Sequence, residues 1–188
     1  MARPREFDSD QVLDAAVRVF RDHGFEGASA QMLVDAMRIG RQSLYDSFGD
    51  KWQLYRAAVR RYSADEVSAH IAALASGPRA IDGIAAMLDR VVAGAVTACL
   101  GTNSICEFGR ARADLSEIHD AAGNVLHAAI ADRLRDAQRD GHAASELDPD
   151  NAASFLTASI AGIRIAARGG ASTAALADLA RMAMRAIV

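Results

Sequence analysis

Lysine is almost missing from this chain: Lys51 stands alone among 21 basic residues, and arginine supplies the rest. Cysteine occurs twice, at Cys99 and Cys106, which excludes a disulfide framework. Three prolines in 188 residues leave few points where a helix is forced to end. No apolar run reaches the ~20 residues needed to cross a bilayer, so no membrane partner is expected. The start of the chain carries no signal-like apolar segment, and the expected location is cytoplasmic. A Ser/His/Asp set, a metal-ligand cluster and a phosphate-cradling glycine loop are all lacking. The expectation is therefore no enzyme, no metal and no other cofactor.

What is present is a soluble balance of 51% apolar and 24% charged residues, rich in alanine. The length suffices for one sizeable core, or for a small domain fused to a medium one. A net charge of −3 argues against bulk nucleic-acid affinity, but the charge is unevenly spread. Residues 1–62 hold ten Lys/Arg against nine Asp/Glu, whereas 63–188 hold eleven against fifteen. A slightly basic head on an acidic body suits a molecule that meets a polyanion at one end.

Helical signals run through the whole chain. Asp8 and Gln11 form a capping-box pattern ahead of the apolar stripe Val12, Ala15, Ala16, Val19 and Phe20, and Gly24 offers a stop. Ser29 opens a short second helix, which a tight connection at Met37-Arg38-Ile39 joins to a third over 40–47. Asp50 with Gln53 repeats the capping box and starts a long fourth helix ending near residue 75. After Pro78 the pattern predicts a helix over 79–99 with the proline in its first turn. A short segment bracketed by Gly101 and Gly109 follows, then a long helix over 115–141. Asp148-Pro149 opens one more that ends at Gly169, and Ser172 caps the last. No β-alternation occurs, so the fold class is all-α with about nine helices.

Two short helices joined by a tight turn and buttressed by a longer one describe a helix-turn-helix, whose second helix enters the DNA major groove. Residues 40–47 have the required two-sidedness. Leu44, Phe48 and Ile39 are spaced to face inward, leaving Arg41, Gln42, Ser43 and Tyr45 outward. An arginine can fork onto guanine and a glutamine can pair with adenine. Tyrosine and serine hydroxyls suit phosphates. Lys51, in the first turn of the next helix, brings an ammonium to free backbone N–H groups that can share one phosphate.

Residues 7–62 resemble the N-terminal domain of the TetR family of bacterial repressors, through Ser43-Leu44-Tyr45, then Phe48 and Lys51 at the Leu-Tyr-x-x-Phe-x-x-Lys spacing. The resemblance implies a DNA-binding unit over 1–50 and a helical ligand-binding and dimerisation domain over 51–188. It implies a repressor that holds a palindromic double-stranded DNA operator until a small-molecule effector binds. Ser29 and Gln31 would then contact phosphate and base from the second helix, with Arg41, Gln42, Ser43 and Tyr45 on the recognition helix and Lys51 as phosphate clamp. The family usually carries glycine where this chain has Arg38, so either the turn is built differently here, the favoured expectation, or Arg38 is retained because it lies near a phosphate. Asp46 and Ser47 replace the histidines common after the tyrosine. Arg3 and Arg5 read as a frayed basic start rather than a minor-groove arm.

In the body, Phe155, Ser159, Gly162, Ile163 and Ala166, with Leu176, Leu179, Met182 and Ala183, carry small and apolar residues at helical spacing. This pattern suits an intrachain core or a four-helix homodimer interface, and the resemblance favours the dimer. Met87, Val91, Phe108, Asn124, His127 and Phe155 are the candidate lining of a pocket for a small, largely apolar effector. His119, Asp120 and His127 are too widely spaced for one metal ion and are expected on a solvated surface. "ACLGTNSICEFGRAR" (98–112) looks like a cysteine-then-asparagine signature of one branch of these repressors. On one straight helix Cys99 and Cys106 would lie ~10.5 Å apart, too far for a disulfide unless Gly101 breaks the helix. A thiol-based redox or electrophile sensor using Cys99 or Cys106 is thus one alternative; an all-α enzyme or a helical interaction module are the others.

Overall fold

Five helices of the computed structural model begin on side-chain caps. It describes residues 9–188, so Arg3, Arg5 and the Asp8 cap lie outside the described residues. Ser29 Oγ accepts from Met32 N (3.1 Å), Asp50 Oδ1 from Gln53 N (2.7 Å), Asp148 Oδ1 from Asn151 N (2.8 Å) and Ser172 Oγ from Ala175 N (3.2 Å). Each satisfies an N–H that the first helical turn leaves without a partner. Cys99 Sγ does the same for Thr102 N at 3.4 Å.

Among the described residues there are nine helices and no strand: α1 (Ser9–Gly27), α2 (Ala30–Met37), α3 (Arg41–Phe48), α4 (Lys51–Leu74), α5 (Ala80–Ala93), α6 (Leu100–Phe108), α7 (Ala113–Arg139), α8 (Pro149–Arg168) and α9 (Thr173–Arg185). Helical geometry in α1 is interrupted at Gly24, whose φ of 70° an L side chain rarely adopts. Two expectations fail near the middle of the chain. The helix predicted over 79–99 stops at Ala93, because Gly94 ends it and Val96 and Thr97, both β-branched, follow in irregular chain. Pro78 stands before that helix, not in its first turn, since Arg79 is the N-cap.

The long helices α4 and α7 run through both halves of the molecule. At one end, α1–α3, the first half of α4, α6 and the start of α7 enclose Phe20, Leu33, Leu44, Leu54, Tyr55, Leu100 and Leu115. At the other, the end of α4 joins α5, α7, α8 and α9 around Ile84, Met87, Leu88, Ile130, Leu156 and Leu176. The first core carries an aromatic cluster that spacing rules do not foresee. Tyr55 lies 5.0 Å from Phe20, 5.2 Å from Phe25, and 5.7 Å from both Trp52 and Phe108, centroid to centroid. Trp52 Nε1 also donates to Asp114 Oδ2 (2.8 Å), and the Arg112 guanidinium covers the indole at 3.8 Å.

A buried polar network ties α4 to α5 and α8. Glu66 accepts from Arg90 (Nη2 to Oε1, 2.8 Å) and from Arg164 (Nη2 to Oε2, 3.0 Å), while Arg164 Nη1 donates to Gly94 O. Burial alone would push the Glu66 carboxyl up, but the two guanidiniums hold it below the usual carboxylate range. His70, 4% exposed beside this pair, is pushed down to about 4, first by burial and then by the Arg90 charge. Its ring is neutral in the folded protein at pH values where the unfolded chain already binds the proton. Stability from this residue is therefore complete above about pH 6.5 and lost as the pH falls towards 4, on the order of 3 kcal/mol. Urea titrations from pH 7 to 4 check this: His70→Gln should flatten the curve in that window, and an unchanged slope would remove His70 as its source.

Candidate nucleic-acid interface

The turn between α2 and α3 holds the most unusual backbone of the chain. Arg38 adopts φ 54° and ψ 38°, the one positive φ outside glycine among the described residues. The left-handed bend is thus kept and an arginine placed in it, contrary to the expectation of a differently built turn. The conformation costs ~1–2 kcal/mol in a residue with a Cβ. Gly40 then caps α3 in an extended conformation without a side-chain bond.

Leu44 anchors α3 at 2% exposure, with Ile39 and Phe48 half-buried against the same core. Arg41, Gln42, Ser43 and Tyr45 are exposed on the helix they share. Two of the candidate readers are already engaged: Gln42 Nε2 donates to Asp46 Oδ1 and Gln31 Nε2 to Asp35 Oδ1, both at 2.8 Å. Each amide keeps a second N–H and its carbonyl oxygen for a base or phosphate, while the carboxylate one turn away holds the side chain. Ser29 Oγ accepts its capping bond and keeps its own proton to donate. Lys51 Nζ sits 4.5 Å above the Phe25 ring, so the lone lysine is held at the α4 N-terminus by a cation–π contact.

What fastens this unit to the body was not legible beforehand. Glu107, exposed on α6, accepts from both Phe25 N and Glu26 N at 3.1 Å, and Asn103 Nδ2 donates to Arg21 O at 3.2 Å. The end of α1 is therefore gripped by α6, across more than eighty residues of sequence. No local pattern signals such a contact. Helix α6 runs unbroken through Gly101, so the break that would have brought the cysteines together does not form, and both are free.

The body residues sort differently. Phe155, Ser159, Gly162, Ile163, Leu179, Met182 and Ala183 border one groove of about 440 Å³ between α8 and α9; Leu176 is buried and Ala166 half-buried nearby. Phe155, Leu179 and Met182 are about half exposed. The six proposed effector contacts do not converge. Met87 and Val91 are fully buried in the α5 core, Phe108 belongs to the aromatic cluster, Asn124 is exposed, and Phe155 faces the α8/α9 groove. His127 bonds Asp150 O (3.0 Å) and Ser154 Oγ (3.2 Å). His119 is half-buried and meets Ser104 Oγ at 2.9 Å, so neither histidine has the solvated surface position expected of it. Only Asp120 has that exposure, paired with Arg110. An apolar groove of about 490 Å³ between α4 and α7, bordered by Ser63, Val67, Ile118 and Val125, includes none of the six.

A bent pair of short helices, the second polar outside and anchored inside, mounted on a helical body, defines a helix-turn-helix transcriptional regulator. Residues 12–58 match the family model described as bacterial regulatory proteins, tetR family. Over these residues the chain is similar to the DNA-binding unit of that family. It is 28% identical to the transcriptional repressor ComR of Escherichia coli over 189 aligned positions, covering 97% of this chain and 90% of that one. It is 47% identical to the regulator YezE of Bacillus subtilis over 62 residues, a third of each chain. A solved relative, a cysteine-substituted form of the TetR family regulator CifR complexed with 26 bp double-strand operator DNA, superposes with a TM-score of 0.84 at 28% identity, covering 98% of this chain and 99% of that one. No helix among the described residues is long and apolar enough to cross a membrane.

Proposed function

We propose that the protein is a cytoplasmic homodimeric repressor that holds a palindromic double-stranded DNA operator and releases it when a small-molecule effector engages the helical body. The observation that carries this reading is the exposed side of α3, where Arg41, Gln42, Ser43 and Tyr45 stand clear of the buried Leu44. Residues 1–50 act as the reading head and 51–188 as the receiving and dimerising body. Arg41 forks onto guanine and Gln42, steadied by Asp46, reads adenine; Ser43, Tyr45 and Lys51 position the head on the backbone, and Ser29 and Gln31 contact phosphate and base from α2. The half-exposed apolar groove of α8 and α9 is the surface that a second copy covers, setting two heads about one DNA turn apart. The operator complex of CifR supports the DNA partner.

A mobility-shift titration against the protein's own upstream DNA tests the reading. Affinity should fall linearly with salt on a log–log scale. Arg41→Ala should cost about 1–3 kcal/mol and relax sequence preference, whereas Lys51→Ala should weaken all DNA alike and reduce the salt slope by about one. Identical losses on every sequence from both variants would refute the division into base and phosphate contacts.

A second reading is favoured by the position of Cys106, which is exposed and directly precedes Glu107, the residue that grips α1. Alkylation or oxidation of that thiol would act on the α6–α1 joint. Cys99 caps the start of α6 and Cys106 lies about two turns along it, ~10.5 Å away at 1.5 Å per residue, so each would react singly rather than as a disulfide. The expected result is DNA release by an electrophile in the native protein and not in the Cys99→Ser/Cys106→Ser double variant. Normal release by the double variant under every inducing condition eliminates the thiol reading.

A further inference from the structure

Where α1, α4, α5 and α8 meet, a cavity of about 420 Å³ is lined by three arginines, Arg21, Arg90 and Arg164, with Tyr62, Glu66 and Ala98 among the other walls. Glu66 is the one carboxylate of that lining, and Asp22, outside it, accepts from Arg21 Nε at 3.3 Å. Three positive groups thus face two negative ones; His70 is buried against Glu66 and Arg90, and the Tyr62 hydroxyl of the lining interacts with Cys99. One of the three guanidiniums is deeply placed, Arg164 being 7% exposed, while Arg21 and Arg90 are half-buried at the cavity's rim. Arg164 donates to the Gly94 carbonyl, but the one carboxylate that balances its charge, Glu66, is shared with Arg90. The local geometry is already shaped for carboxylate. Arg90 presents two nitrogens to Glu66, Nη2 to Oε1 at 2.8 Å and Nη1 to Oε2 at 3.4 Å, as a planar fork does.

We propose that this cavity is the effector site and that the effector is a small organic carboxylic acid, its carboxylate held by Arg90 and Arg164 in competition with Glu66 and its apolar part against Tyr62 and Ala98. The inference rests on the reading of the protein as an effector-responsive regulator, and it replaces the largely apolar effector expected from the sequence. The fourth wall explains how occupancy reaches DNA. Arg21 belongs to α1, and its carbonyl is the group that Asn103 of α6 holds. An anion that draws the Arg21 guanidinium inward pulls on the joint between reading head and body.

Isothermal titration calorimetry of the full-length protein with benzoate and hexanoate, against their neutral amides, tests the site. Each acid should bind saturably and about tenfold or more tightly than its amide. Arg90→Gln and the half-buried Arg21→Gln should each weaken the acids by a similar factor, with folding checked by circular dichroism. Glu66→Gln removes the internal competitor and should tighten acid binding, a gain that mere structural damage does not produce. Amides binding as well as acids, inorganic phosphate binding as tightly as either acid, or Glu66→Gln weakening the acids would each overturn the proposal. Mobility shifts on the same samples keep the two readings apart. Acid binding without DNA release leaves the site standing and overturns the regulatory role. Release by a neutral compound, unaffected by the Arg21 and Arg90 variants, overturns the site and leaves the regulator.

Discussion

Replacing Gly83 with alanine should destabilise the protein by at least about 2 kcal/mol, although alanine is the better helix former by about 1 kcal/mol. A Cβ built at Gly83 lies 2.1 Å from the carbonyl oxygen of Leu74 and 2.8 Å from its carbon, with Arg133 Nη2 at 3.2 Å. The obstacle is backbone at the end of α4, so no rotamer change relieves it, and α5 must move away from α4 as a whole. That movement opens the core at Ile84, Met87 and Leu88, all buried in the next turn of the helix. The same substitution at Gly123, in the middle of α7, meets nothing within 4 Å and should stabilise by up to about 1 kcal/mol. Thermal denaturation at fixed protein concentration should show opposite signs, roughly 4–8 °C down for Gly83→Ala and roughly 2–4 °C up for Gly123→Ala. A rise for Gly83→Ala as well would show that the α4–α5 approach is looser than the geometry implies.

Tyr55→Ala should have a still larger effect, about 3–5 kcal/mol. Its side chain is fully buried, and its ring touches Phe20 and Phe25 of α1, Trp52 of α4 and Phe108 of α6. Edge-on packing in such a cluster adds to the area term, so truncation empties the point where three helices meet. Trp52 is the only tryptophan and sits 5.7 Å from Tyr55, which makes its emission a direct reporter of the change. The variant should melt roughly 8–15 °C lower, with red-shifted emission before unfolding. Tyr55→Phe keeps the ring and should change both by far less. Native emission and melting in Tyr55→Ala would mean that the cluster is dispensable.

These two residues mark where sequence reasoning ends. Caps at Ser29, Asp50, Asp148 and Ser172 were readable because the cap and the N–H that donates to it lie three positions apart, and the stripe of α1 because a helix repeats every 3.6 residues. The reading face of α3 followed from the same local arithmetic. Gly83 reads as a mild flaw in a helix until the carbonyl of Leu74 is placed beside it. Tyr55 reads as one more apolar position until Phe108, more than fifty residues away, arrives at its ring. The six guessed effector contacts failed for the same reason: periodicity tells which side of a helix is apolar, not whether a neighbour fills the space. Arg38 misled in the other direction, since steric preference argued against a conformation that the surrounding turn imposes.

The hold of Glu107 on the end of α1 has a mechanical meaning. From Ser9 to His23 that helix is roughly 22 Å long at 1.5 Å per residue, and its anchored end lies at Phe25 and Glu26. It is a lever with a short input and a long output. A tilt of about 6° at the pivot swings the far end by roughly 2 Å, several times the tolerance of a hydrogen bond. In a two-fold assembly both levers turn at once, and the mismatch between them doubles. In the proposed dimer, a displacement at α6 too slight to disturb its packing would be enough to take the two reading heads out of step.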